Sequence, residues 1–166
     1  IKHPDRSAWE AIEAALGSGL GLEETLLKNP PTADLESLIV EETATLLENA
    51  EAKVFTDVLA KKRTLRLSRL LPHVLKPREG LPIITTNYDR LIELAAELLG
   101  LGVDTMFIGS TVGNFDESTS RLSFLSKVEL KGKTLRKHPR QKVNLFKPHG
   151  SLDWSLHNDR PIKLGC

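Results

Sequence analysis

At Leu81 the apolar pattern of this chain changes period, and that change constrains the fold more than any other feature of the sequence. Upstream, apolar residues recur at steps of three and four. Leu81-Pro-Ile-Ile-Thr-Thr86 is instead a short β-branched run, the kind that forms a strand buried on both faces in a parallel sheet. Asn87-Tyr88-Asp89 interrupts it, and from Asp89 to Leu99 the period is helical again, with Leu91, Ile92, Ala95, Leu98 and Leu99 apolar and Gly100 as the stop. Strand, polar corner and helix in that order are the unit of an open α/β sheet. The corner of such a unit lies at the carboxyl end of a strand, where these sheets bind ligands and where a helix amino terminus offers backbone donors.

The segments before this unit predict a helical scaffold. Ser7-Ala-Trp-Glu10 has capping-box spacing and opens a short helix to Leu16. Gly17-Ser-Gly-Leu-Gly21 follows a helical pattern and not a strand, so it terminates that helix and does not form a dinucleotide-binding loop. A second short helix is expected at Leu22–Lys28. Pro30-Pro31 breaks it, and Thr32 can cap a long helix carrying Leu35, Leu38, Ile39, Leu46, Leu47, Val54, Phe55, Val58 and Leu59. Leu65, Leu67, Leu70 and Leu71 predict another, with Pro72 and Pro77 near its end.

Beyond Gly100, Val103–Ile108 is expected as a strand and Gly109–Ser120 as a polar loop. Residues 121–147 suggest a hairpin: Leu122, Phe124, Val128 and Leu130 on one face, a turn at Lys131-Gly132-Lys133, and Val143 and Leu145 alternating in the return strand.

Composition removes several function classes. The 23 Lys+Arg against 22 Asp+Glu leave no global field for nucleic acid or a membrane surface. The distribution is uneven, however, with twelve acids and four bases in residues 1–60, and nine bases and one acid in residues 121–147. A basic hairpin at 127–142 is therefore a candidate nucleic-acid contact, although no stacking aromatics interleave there. The contrast equally permits a contact within or between subunits. One cysteine, Cys166, excludes an internal disulfide and a zinc site built from several thiolates, and suits a reducing cytoplasm. His3, His73, His138 and His157 lack metal-ligand spacing, so no metal is expected. No apolar run approaches a membrane span and no signal segment is evident, so a cytoplasmic location is expected.

Two segments place uncommon polar side chains directly after an apolar strand: Thr85-Thr-Asn-Tyr-Asp89 and Lys147-Pro-His-Gly-Ser-Leu-Asp-Trp154. Read as residues alone, Asn87 can shape a turn, Asp89 can cap the helix to Leu99, His149 can be a hydrogen-bonded structural histidine, Ser151 can cap the next turn and Trp154 can pack on the sheet. Ser151 and His149 are too close in sequence, and too short of a third partner, for a serine-nucleophile triad.

Together, Ile84-Thr-Thr-Asn-Tyr-Asp-Arg-Leu-Ile-Glu93 and Lys147-Pro-His-Gly-Ser-Leu-Asp-Trp154 resemble the sirtuin-like (silent information regulator-like) NAD-consuming domain of prokaryotic antiphage defence proteins. The resemblance implies an α/β fold, a Rossmann-like parallel sheet with a helical scaffold and an inserted β-hairpin, with NAD bound between sheet and insert. It implies that Asn87 and His149 are catalytic, the first holding water or ribose near the nicotinamide-bearing carbon and the second acting on the ribose hydroxyls. Thr85, Thr86, Asn87, Asp89, His149 and Gly150 would bind NAD, with Asp89 on the nicotinamide amide and Thr86 where protein-deacylating sirtuins carry glutamine. The chemistry suits these residue types. Cleaving the ribose–nicotinamide bond builds oxocarbenium character, which calls for polar positioning. An amide both donates and accepts, imidazole exchanges protons at physiological pH, and Gly150 permits close approach.

The same resemblance has departures. The family's glycine-rich segment would lie before Ile1 and a later strand-end motif beyond Cys166, so residues 1–166 are expected to be one sirtuin-like domain lacking its first strand and its carboxyl-terminal strands. Pro148 stands where the family usually has leucine. Four zinc-binding cysteines are absent, which disfavours protein deacylation. The expected activity is hydrolysis of NAD to nicotinamide and ADP-ribose, as a homo-oligomer or with a defence-system partner. The alternative is a non-catalytic module that binds NAD, ADP-ribose or a protein.

Overall fold

The computed structural model describes residues 6–75, 80–131 and 133–165. The chain divides into two compact units, Ile1–Leu47 and Glu48–Cys166. In the first, α1 (Arg6–Gly17) ends in the glycine turn, where Gly19 adopts a φ of +92°. Helix α2 (Leu22–Lys28) has the expected bounds. Helix α3 (Ala33–Leu59) begins at the predicted cap, with Leu35 N–H donating to Thr32 Oγ1 at 3.4 Å. Ile12, Thr25 and Leu35 are buried in this unit. Trp9, Ile12, Leu16, Leu22, Leu38 and Ile39 line an apolar groove of about 730 Å³ there.

In the second unit, α4 (Arg66–Val74) carries Pro72 inside its last turns, while Pro77 lies outside the described residues. Strand β1 (Leu81–Ile84) precedes α5 (Leu91–Glu97), as the change of period predicts. Three parallel strands form the central sheet in the order β1, β7 (Lys142–Phe146), β2 (Gly102–Asp104). Leu81 pairs with Val143 and Ile83 with Leu145, which sets their side chains on one face. That face packs on Leu71 of α4 and Ala95 and Ala96 of α5, with Leu65, Leu67, Ile92 and Val103 around them. The other face is only partly covered: Ile84 is 75 % exposed, so β1 is not buried on both sides as its composition predicts.

The expected strand at Val103–Ile108 is two strands in two sheets. Met106, at a φ of +65°, turns the chain between β2 and β3 (Phe107–Ile108). The expected loop at 109–120 contains β4 (Val112–Phe115) and the start of α6 (Glu117–Ser123). Helix α6 is capped by Asp116, whose Oδ1 accepts from Thr119 N–H at 3.0 Å and from Ser118 Oγ at 2.8 Å. Strands β3 and β4 join β8 (Trp154–His157) and β9 (Arg160–Leu164) in an antiparallel sheet ordered β3-β4-β9-β8. Asn158 and Asp159, both at positive φ, make the two-residue turn between β8 and β9. Trp154 packs on this sheet, its ring 4.9 Å from that of Phe107.

The predicted hairpin exists, but with a different return strand. Strand β5 (Leu125–Lys131) pairs with β6 (Thr134–Pro139), and Leu122 belongs to α6. Val143 and Leu145 sit in β7, the middle of the parallel sheet. Alternation in a short run does not distinguish a hairpin arm from a central strand whose partners are remote in sequence. Lys131 and Lys133 are exposed at the tip. Gly132 lies outside the described residues, as do the side chains of Lys127, Val128, Arg136 and Lys137. Among the described residues no helix is long and apolar enough to cross a membrane.

Candidate active site

Strands β1 and β7 run parallel and adjacent, so their carboxyl ends open side by side, and the two polar motifs are the segments that leave those ends. Thr85 N–H donates to Phe146 O at 3.0 Å, extending the ladder one rung past β1. Thr85 Oγ1 then accepts from Asn87 N–H at 3.1 Å, a local turn that sets the corner. Asp89 Oδ1 accepts from Leu91 N–H at 3.0 Å and so caps α5 in the way its position predicts.

The second motif turns just as tightly. Gly150 N–H donates to Lys147 O at 3.0 Å, which leaves Pro148 and His149 at the tip of the turn. Gly150 has a φ of +93°, where a Cβ is disfavoured, although an added Cβ would meet no protein atom within 4 Å. The glycine is required by its backbone conformation.

Three bonds fasten the two segments beyond the rung at Thr85. Tyr88 O accepts from Leu152 N–H at 3.0 Å and from Ser151 Oγ at 3.2 Å. Asp89 O accepts from Lys147 Nζ at 2.5 Å. The corner carrying Thr86 and Asn87 is thereby held against the turn carrying His149. Thr86, Asn87 and His149 are exposed, and Thr85, Asp89 and Gly150 are half-buried. Ser151 is buried and serves this junction, not the cap of a following turn.

Lys147, Glu93 and Ser151 form the polar support beneath. Lys147 Nζ also donates to Ser151 Oγ at 3.0 Å and pairs with Glu93 Oε1 at 2.9 Å, its side chain 1 % exposed. Burial pushes the Glu93 carboxyl above its ordinary range, against the opposing hydrogen bond and charge of Lys147 and the charge of Lys163. Glu93 Oε2 and Asp153 Oδ1 are buried without a hydrogen-bond partner among the described residues. Glu93 and Asp153 share with Phe55, Arg90 and Lys163 the lining of a cavity of about 180 Å³. The sequence did carry a signal for Lys147: a lysine directly closing the apolar run Val143-Asn-Leu-Phe146 must place its charge at a buried strand end. Nothing local marks Glu93 as its partner.

A second buried pair lies at the other edge of the sheet. Asp104 pairs with Lys142 at 2.5 Å and accepts from Ser120 Oγ at 2.6 Å, and Lys142 Nζ lies 4.8 Å from the centre of the Phe124 ring. Burial raises the Asp104 carboxyl, but the bonds from Lys142, Ser120 and the Met106 amide together bring it below its ordinary range.

The parallel strand ends and both motifs fall within one recognisable stretch of sequence. Residues 82–162 match the SIR2-like domain family. The match begins in β1, ends in β9 and includes Asn87 and His149. A SIR2-like domain implies NAD-related chemistry, and the strand-end location of the two motifs is consistent with it. No curated protein matches the chain. Among the described residues no cluster of three or more His, Cys, Asp or Glu side chains could hold a metal ion.

Proposed function

We propose that the SIR2-like domain of this protein hydrolyses NAD to nicotinamide and ADP-ribose. The observation that carries the reading is the fastening of the Asn87 corner to the His149 turn at adjacent strand ends, which puts an exposed amide and an exposed imidazole on one rim. In the reaction the bond from ribose C1′ to the nicotinamide nitrogen breaks, its electron pair leaves with nicotinamide, and water adds to C1′ with release of one proton. Asn87 orients the water or ribose through its carbonyl and NH₂ groups. His149 accepts a proton from a ribose hydroxyl and returns it, easing positive charge at the reacting carbon. Asp89, with Oδ1 occupied by the Leu91 amide, offers Oδ2 to the nicotinamide amide. Thr85, Thr86 and Gly150 complete the NAD contact.

The biological reading is depletion of cellular NAD in antiphage defence, with a homo-oligomer or a partner protein as the assembly. Its support is the resemblance of the two motifs to that branch of the family.

The test is incubation of the full-length protein with NAD and identification of the products, beside Asn87→Ala and His149→Ala variants checked for folding. Nicotinamide plus ADP-ribose, lost in both variants, is the expected result. Cyclic ADP-ribose as the product would replace hydrolysis by cyclisation. NAD binding without turnover would make the domain a non-catalytic binding module, and absence of both would overturn the NAD reading.

A further inference from the structure

We infer that Lys147 is a positioning residue of this site, with Glu93 as its buried counter-ion: the pair holds the Asn87 corner in register with the His149 turn. The inference rests on the NAD-hydrolase reading, and it deepens that reading by naming what sets the distance between its two reacting groups.

The ammonium of Lys147 has three protons, and three acceptors meet them: Asp89 O, Ser151 Oγ and Glu93 Oε1. They come from the corner after β1, the turn after β7 and the first turn of α5, respectively. One buried cation therefore ties together every segment that frames the strand ends. Lys147 also lies two residues before His149 and its Asp89 contact two residues after Asn87, so a shift of the ammonium moves both exposed groups.

The pair is poorly arranged for stability alone. Among the described residues Glu93 Oε2 has no hydrogen-bond partner, nor has Asp153 Oδ1 in the same small cavity. A buried ion pair with unsatisfied atoms does not outperform apolar side chains of similar size, and replacing such pairs by apolar residues is often neutral or stabilising. What the ion pair provides that an apolar pair does not is a directed, three-pronged attachment of two backbone segments.

The prediction is a separation of stability from turnover. In full-length protein the double variant Lys147→Met/Glu93→Leu is expected to unfold within a few degrees of the parent. Its kcat for nicotinamide release is expected to fall about 100-fold, the scale of an ångström-level misplacement, with a change in KM of about threefold or less. Hydrogen exchange of the Leu152 amide, bonded to Tyr88 O, should accelerate in the double variant, while that of the Thr85 amide, bonded across the sheet, should not. Full turnover in a folded double variant would overturn the inference, as would unaltered exchange at Leu152. If the double variant does not fold, Glu93→Gln, which keeps shape and removes the charge, carries the test with an expected loss in kcat of about tenfold; unaltered kcat there would overturn the inference too. Failure of the parent to consume NAD would sink the hydrolase reading, and the exchange comparison would still decide whether Lys147 holds the two segments together.

Discussion

Glu51 receives the backbone N–H of Arg90 at 2.5 Å on one carboxylate oxygen and the Arg90 guanidinium at 2.9 and 2.5 Å on the other. Arg90 occupies the N-cap position of α5 without a cap bond from its own side chain, and its guanidinium lies 5.7 Å from the centre of the Phe55 ring, one turn along α3 from Glu51. The helix that carries Glu93 is thus anchored at its amino end by the long helix. The same carboxylate balances the charge of the arginine and satisfies a helix-end donor.

Glu51→Ala should therefore lower the unfolding free energy by about 2–3 kcal/mol, below the full cost of breaking a deeply buried pair because Arg90 retains some solvent contact. Glu51→Gln should recover part of this through the Arg90 N–H bond. Urea unfolding of the three proteins checks the order, and equal midpoints would show that the anchor contributes nothing.

Gly150→Ala is expected to cost about 1–2 kcal/mol through its left-handed backbone conformation, since a methyl group has free space there. Gly150→Asn should cost less than Gly150→Ala, because asparagine tolerates that region better. If His149 acts in NAD cleavage, turnover should fall in both variants by more than their loss of stability explains, because the turn at Lys147–Gly150 sets the histidine. Turnover that simply follows the folded fraction would exclude that role for the turn.

Two buried carboxyls should give stability profiles of opposite sign. The Asp104 carboxyl is held below its ordinary range in the folded protein, so its contribution is present above the unfolded value and is lost as pH falls through the folded one. The advantage of the parent over Asp104→Asn should shrink as pH drops below about 4. The Glu93 carboxyl is raised, so the folded state binds its proton more tightly than the unfolded chain does. Relative to Glu93→Gln, the parent should lose stability as pH rises from about 4 through the raised value. Unfolding curves collected across pH for each pair test both signs, and a parallel pair of profiles would contradict the corresponding shift.

The sequence was most legible where one local rule governed the outcome. Helix α2 has its predicted ends because Pro30 and Pro31 and the glycine turn bound it on both sides. The strand-corner-helix unit at 81–97 follows from a change of period that no neighbouring segment obscures. Strand β7 is not legible as a central strand, because its pairing is decided by β1 and β2 and nothing within Val143–Phe146 names those partners. The region 109–120 has the overall polarity of a loop, yet Asp116 before Ser118 and Thr119 is a helix cap, and β4 is a four-residue strand whose apolar Val112 and Phe115 are both exposed, too short for a strand pattern to stand out. At the candidate site, Asn87, Asp89 and His149 stand out in the sequence as unusual side chains after apolar runs. Their support does not, because the Lys147–Glu93 pair exists only once two remote strand ends meet.

That remoteness also sets when the site can come into being. The corner at Asn87 comes early along the chain, but the strand that aligns it, the lysine that fastens it and the turn that carries His149 all follow the β5–β6 hairpin. A nascent polypeptide that stops anywhere before Phe146 holds one of the two motifs of the candidate site and lacks the strand on which the other is aligned. Contacts of such long sequence separation carry a large loop-closure cost, so the junction of the two motifs depends on the whole of the sheet between them.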